Sequence, residues 1–244
     1  MHKIADRLIV ALDATVEADA LRMARALRGA VRIVKVGSAL FTACGPAVIR
    51  RLRSLGFEIM LDLKFFDIPT TVELSCRSAV RHRVALLTVH ASGGRAMLEA
   101  AVRGARSEAR RLRMKPPKVL AVTVLTSDSG GGSSSVRRRV TALARAALDA
   151  GCDGIVASAR EAAGLRRTFG ARPRIVCPGI RPAPPPGGGV RRGRRDDQRR
   201  VSAPAEALAH GASALVVGRP ITSAPRPRAA TRAMLKEMEE GHGC

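Results

Sequence analysis

The segment Asp62-Leu63-Lys64-Phe65-Phe66-Asp67 concentrates more reactive chemistry than any other part of the chain. It places two carboxylates and an ammonium within six residues, at the end of the apolar run 57–63. Ionisable groups in such a setting are costly unless they are paired. Taken alone, the trio suits a strand-end salt bridge, a metal site or a proton donor held between carboxylates. The same pattern recurs along the chain. Asp13, Lys35, His90, Thr126 with Ser127, Pro178 with Gly179, and Gly218 with Arg219 each close an otherwise apolar run. A ring of polar groups at the ends of strands is hard to explain by packing. Lys35 adds a second cation at a neighbouring strand end, which weakens the case for a lone structural ion pair. Val217-Gly218-Arg219-Pro220 suits a phosphate. Glycine lets the backbone approach, the following amides can donate, and the guanidinium forks onto two oxygens. Gly179 and the segment around Gln198 are the natural partners of that grip.

The elements that position these groups alternate regularly. Strand-like runs occupy 8–13, 32–37, 57–64, 85–90, 118–125, 153–157, 173–178 and 213–218. Helical patterns lie at about 17–28, 45–55, 70–81, 95–112, 136–150, 160–168, 202–210 and 227–240. In the first, Ala18, Leu21, Ala24, Ala26 and Leu27 share an apolar face. Eight strand–helix units in 244 residues predict one α/β domain over 1–244, a (β/α)8 TIM barrel, with an open doubly wound sheet as the runner-up. Two stretches break the rhythm. Residues 127–135 (SDSGGGSSS) read as a flexible loop, and about 183–197 as a low-complexity, Pro/Gly-rich, then basic loop. In a barrel of this kind the active site lies at the C-terminal ends of the strands, where the polar residues gather.

Composition narrows the function classes. The formal net charge is +23, but only six of the 43 basic residues are lysines, and Asn, Tyr and Trp are absent. That is the pattern a GC-rich coding bias leaves on tolerant surfaces. The arginines are scattered and no aromatics interleave with them for base stacking, so no nucleic-acid partner is expected. The bias makes Lys35 and Lys64 informative, as positions that require a compact ammonium. The five cysteines carry no metal or redox spacing. No apolar run is long enough to span a bilayer. The first strand begins almost at once and leaves no room for a signal peptide, so a soluble cytoplasmic protein with no membrane partner is expected. GxGxxG, Walker, HExxH and GxSxG motifs are all missing.

Along nearly its whole length the chain resembles the orotidine 5′-phosphate decarboxylase family. The resemblance rests on LIVALD (8–13), VKVG (34–37), DLKFFDIP (62–69) with Thr71, VHASGG (89–94), VTVLTS (122–127), PGIRP (178–182), DQRR (197–200) and VGRPI (217–221). Family members commonly read FHDIPNT where this chain has Phe66 and Thr70, and the stretch before DQRR is longer and more basic than usual. The resemblance implies decarboxylation of orotidine 5′-monophosphate to UMP, the last step of pyrimidine synthesis, without a metal or other cofactor. It implies a homodimer with active sites shared across the interface. Lys35, Asp62, Lys64 and Asp67 would be the catalytic set, with Asp67 and Thr71 reaching into the partner's site. Asp13 would hold the ribose and Ser127 the pyrimidine amide edge. Gln198 and Arg219 would grip the phosphate, with Pro178 and Gly218 also at the substrate.

Three other readings share parts of the pattern. A magnesium-dependent sugar-phosphate decarboxylase or synthase of the same superfamily needs an acidic ligand where this chain has Lys35. A Schiff-base aldolase would use Lys64 as nucleophile. A basic barrel that binds nucleic acid would exploit the net charge.

Overall fold

The eight apolar runs pair in chain order as parallel strands: β1 (Leu8–Leu12), β2 (Ile33–Gly37), β3 (Glu58–Phe65), β4 (Leu86–His90), β5 (Lys118–Val122), β6 (Gly154–Val156), β7 (Arg174–Cys177) and β8 (Ala214–Val217). β8 pairs back onto β1, which closes the barrel. The structure is a computed structural model, and it describes residues 4–125, 133–182 and 201–240. Short, β-branched apolar strands joined by helices bury both faces of a parallel sheet, and here they do so in two concentric layers.

Alternation along each strand builds those layers. Ile9, Ala11, Ile33, Met60, Leu86, Leu120, Val122, Val156, Val176, Ala214 and Val216 form the inner cluster. Leu8, Val10, Val34, Val36, Ile59, Leu61, Leu87 and Val89 join the larger outer core, packed with the helices. Two residues beyond an inward position, the next inward position is polar or bare: Ala11 leads to Asp13, Ile33 to Lys35, Met60 to Asp62, Leu86 to Thr88 and Val216 to Gly218. The strand pattern thus carries these residues to one mouth of the barrel.

The surrounding helices are α1 (Glu17–Leu27), α2 (Ser38–Cys44), α3 (Ala47–Ser54), α4 (Pro69–Arg81), α5 (Gly94–Arg111), α6 (Ser133–Asp149), α7 (Ala159–Phe169), α8 (Pro204–Ala209), α9 (Arg219–Thr222) and α10 (Pro227–Glu240). Pro69 opens α4 at a position where its missing N–H costs nothing. α4 and α5 pack closely because Gly104 has no side chain: a Cβ there would lie 2.5 Å from the Glu73 carbonyl oxygen.

Several boundaries differ from the sequence expectation. The helix expected at 45–55 is α3, and α2 precedes it unannounced. Gly45, at φ 62°, and Pro46 separate the two. α2 buries only Leu40, too little to print a helical period. α6 begins at Ser133, inside the stretch read as loop. β5 ends at Val122 and not at 125. The expected basic loop at 183–197 lies outside the described residues.

Candidate active site

β3 does not run straight to its end. Met60 and Leu61 face Leu86 and Leu87 on β4, but the next pairing is Phe65 with Val89, so four residues on β3 advance against two on β4. Lys64 lies in this bulge with φ 49°, a region that residues with a Cβ seldom adopt. Bulges of this kind re-aim side chains next to active sites. Simple alternation predicts that Asp62 and Lys64 share a face. The two do meet, but through the bulge rather than through a regular pleat.

The groups form a chain of charges across three strands. Lys64 Nζ lies 3.0 Å from Asp62 Oδ1, and Lys35 Nζ lies 3.5 Å from Asp62 Oδ2. Lys35 Nζ also donates to Asp13 Oδ1 at 3.0 Å. The Asp62 side chain is only 12% exposed, and so is that of Lys35. Burial by itself would raise the Asp62 carboxyl. Lys35 and Lys64 outweigh it, helped by hydrogen bonds from Lys64 and Thr88, and hold the group below its ordinary value. Asp62 is therefore an anion clamped between two cations.

Thr88 on β4 is the member that sequence reading missed. It is fully buried. Its hydroxyl donates to Asp62 Oδ1 at 2.9 Å and accepts the backbone N–H of Lys64 at 3.0 Å. The available signal was a single hydroxyl in Leu86-Leu87-Thr88-Val89-His90, two residues before a strand-end histidine. His90 itself turns aside. Its Nδ1 lies 3.0 Å from Ser92 Oγ and its ring meets Phe66 edge-on at 5.7 Å.

Asp13, Lys35, Asp62, Lys64, Pro178, Gly218 and Arg219 all line one cavity of about 520 Å³ at the barrel mouth. That size suits a small organic ligand. Its floor is apolar, with Ala11, Met60, Val122, Val156 and Val216, and its far rim adds Gly179 and Arg181. Arg181 was not singled out from the sequence, and its Nη1 donates to the Ile180 carbonyl at 3.1 Å. Gly218 stands at the N-terminal end of α9, and Arg219 is the first helical residue. A Cβ on Gly218 would lie 3.6 Å from Asp13 and 3.7 Å from Ala11, so the bare backbone keeps this wall thin.

Asp67 and Thr71 do not line that cavity. Both are exposed, and Asp67 Oδ1 accepts the backbone N–H of Ile68 at 2.6 Å. Among the described residues Asp67 makes no ion pair, so the expected four-charge array is, within one chain, Asp13–Lys35–Asp62–Lys64. Ser127 and Gln198 lie outside the described residues. Among the described residues no group of three or more His, Cys, Asp or Glu side chains is placed to hold a metal ion.

Residues 6–234 match the family described as "Orotidine 5'-phosphate decarboxylase / HUMPS family". The orotidine 5'-phosphate decarboxylase of Moorella thermoacetica is 46% identical over 241 residues, covering 96% of this chain and 92% of that protein. The enzyme of the same description from Anaeromyxobacter sp. strain K is 46% identical over 238 residues, covering 95% and 98%. The crystal structure of orotidine 5'-phosphate decarboxylase from Lactobacillus acidophilus superposes with a TM-score of 0.79 at 34% identity, covering 96% of this chain and 99% of that one.

Proposed function

The chain belongs to the orotidine 5′-phosphate decarboxylase family and acts as a carbon–carbon lyase on orotidine 5′-monophosphate; on that premise we propose that Lys64 is the proton donor to C6 of the pyrimidine and that no cofactor takes part. The observation that carries this reading is the ion-paired series Lys35–Asp62–Lys64 in the same cavity as Gly218 and Arg219.

Loss of CO2 from C6 leaves a carbanion with no adjacent π system to spread into. A cation able to deliver a proton must already stand at that carbon. Lys64 is aimed by Asp62, whose other oxygen faces Lys35, so the ammonium is held by fixed charges rather than by mobile water. Such preorganisation stabilises charge as it develops. Asp13, hydrogen-bonded to Lys35, is assigned to the ribose. Arg219 and the amides after Gly218, together with Gln198, are assigned to the phosphate, Ser127 to the amide edge of the base, and Pro178 to the rim beside them. Phosphate binding far from C6 can be used to order the site and exclude water. A second cation, Lys35, beside Asp62 disfavours a divalent metal there.

The biological unit in this reading is a homodimer in the cytoplasm. Asp67 and Thr71 leave their own cavity and sit among exposed apolar side chains, Phe66 at 62%, Ile68 at 66% and Leu74 at 57%. Such a patch, next to a carboxylate that makes no ion pair among the described residues, suits a second copy, whose site Asp67 would complete. No helix among the described residues is long and apolar enough to cross a membrane.

The test is Lys64→Ala, assayed by the loss of orotidylate absorbance. Turnover is expected to vanish while the protein stays folded and binds UMP. Near-normal turnover in the folded variant would overturn the assignment.

A further inference from the structure

We propose that Thr88 is a positioning residue for the proton donor: its buried hydroxyl staples the β3 bulge to β4 and thereby sets where the Lys64 ammonium stands. The inference rests on the reading of Lys64 as the donor to C6.

Three observations converge on Thr88. It is fully buried, at an inward register position of β4 two residues past Leu86. Its hydroxyl proton is committed to Asp62 Oδ1 at 2.9 Å, the same oxygen that lies 3.0 Å from Lys64 Nζ. Its lone pair is committed to the Lys64 backbone N–H at 3.0 Å. One hydroxyl thus holds both ends of the Lys64 residue, its main chain directly and its ammonium through Asp62.

The backbone explains why a staple is needed. At the bulge, the regular ladder between β3 and β4 stops at Leu61 and resumes at Phe65. The Lys64 N–H therefore takes its partner from a side chain. With φ at 49°, the main chain there is in a conformation that a lysine seldom adopts and that persists only where its surroundings over-determine it. Without the hydroxyl the part-buried N–H loses its partner, and the bulge gains a reason to relax toward ordinary strand geometry. Relaxation would swing Lys64 away from Asp62. A displacement of about 1 Å at a reacting group can cost roughly a hundredfold in rate. Thr88 lies outside the residues lining the cavity, so substrate affinity should be spared.

The experiment compares Thr88→Val, which keeps the shape and removes the hydroxyl, with Thr88→Ser, which keeps the hydroxyl. For Thr88→Val, kcat should fall by about 10- to 100-fold while KM and UMP affinity stay within about threefold. Thr88→Ser should recover kcat to within about threefold of the parent. If the valine variant does not fold, Thr88→Cys, which matches the serine variant in shape but carries only a weakly hydrogen-bonding thiol, takes its place under the same criteria. Unchanged kcat in the folded valine variant, or in the cysteine variant that replaces it, overturns the proposal, and so does a serine variant as slow as the valine one. Lys64→Ala assayed alongside separates the two readings. If it is inactive while Thr88→Val runs at full speed, only the role of Thr88 fails. If it is active, the donor assignment itself fails.

Discussion

Asp62→Asn removes one negative charge and leaves the shape almost intact, so it isolates what the central carboxylate contributes. Asp62 holds Lys64 at 3.0 Å and Lys35 at 3.5 Å. At an effective dielectric near 20, each contact is worth roughly 5 kcal/mol of gross attraction. Desolvation of the buried carboxylate offsets much of this. The Lys64 side chain is also 36% exposed, so solvent screens its share. Breaking a buried pair by removing one partner typically costs about 3–5 kcal/mol, and the lower end suits this half-open site. For a chain of this size about 3 kcal/mol corresponds to a fall in Tm of roughly 6–12 °C. Turnover should suffer more, because two ammoniums would then share the mouth of the barrel with Asp13, which pairs only with Lys35 among the described residues, as the remaining carboxylate of the series. A loss of about a hundredfold or more in kcat is expected, the scale seen when one preorganised electrostatic group is removed. Thermal unfolding followed by circular dichroism, and the absorbance assay at saturating substrate, measure the two effects. The pH dependence adds a third check. The folded Asp62 carboxyl sits below its ordinary value, because Lys35, Lys64 and Thr88 outweigh the effect of burial. Its contribution is therefore fully present above the unfolded value of about 4 and is lost as pH falls through the lower folded value. The Tm difference between parent and Asp62→Asn should shrink in that acid range. A variant with kcat within threefold of the parent and an unchanged Tm would refute the reasoning.

Arg219→Ala should raise KM by roughly 10- to 100-fold with little change in kcat, because the phosphate contact proposed for it would be made in ground and transition states alike; a selective fall in kcat would contradict that role. Mixing Lys64→Ala with Asp67→Ala subunits should restore about one quarter of parental activity, since half the randomly formed dimers then carry one intact site of two. No recovery after subunit exchange would mean that each chain uses its own Asp67. Exhaustive treatment with a chelator should leave turnover unchanged, and a loss reversed by Mg²⁺ would refute the cofactor-free reading.

Why the barrel was so legible in the sequence follows from burial. Parallel strands covered on both faces must be apolar throughout, so LIVAL, IVKVG and ALVV stand out, and their polar exceptions mark the mouth. Lys35 and Asp62 are such exceptions, and a charge inside an apolar strand is too costly to be incidental. α2 (Ser38–Cys44) was not legible because it buries one side chain, and a helix with so small an apolar face prints no period. Asp67 could be singled out but not placed, since its exposure in one chain leaves its partner unstated.

By itself, then, the amino-acid order determined the α/β alternation, the single barrel, and the identity of the charged residues at its mouth, because these depend on local hydrophobic pattern. Only the tertiary structure decided how the charges connect. Which lysine faces which carboxylate oxygen depends on the register between neighbouring strands, and the β3 bulge shifts that register by two residues. Thr88 shows the difference most clearly. Along the chain it is an ordinary β-branched residue in an apolar strand; across the sheet its hydroxyl meets Asp62 and the Lys64 backbone together. These contacts join residues 24 and 26 positions apart, brought together by the register of β3 against β4, and no local pattern encodes them.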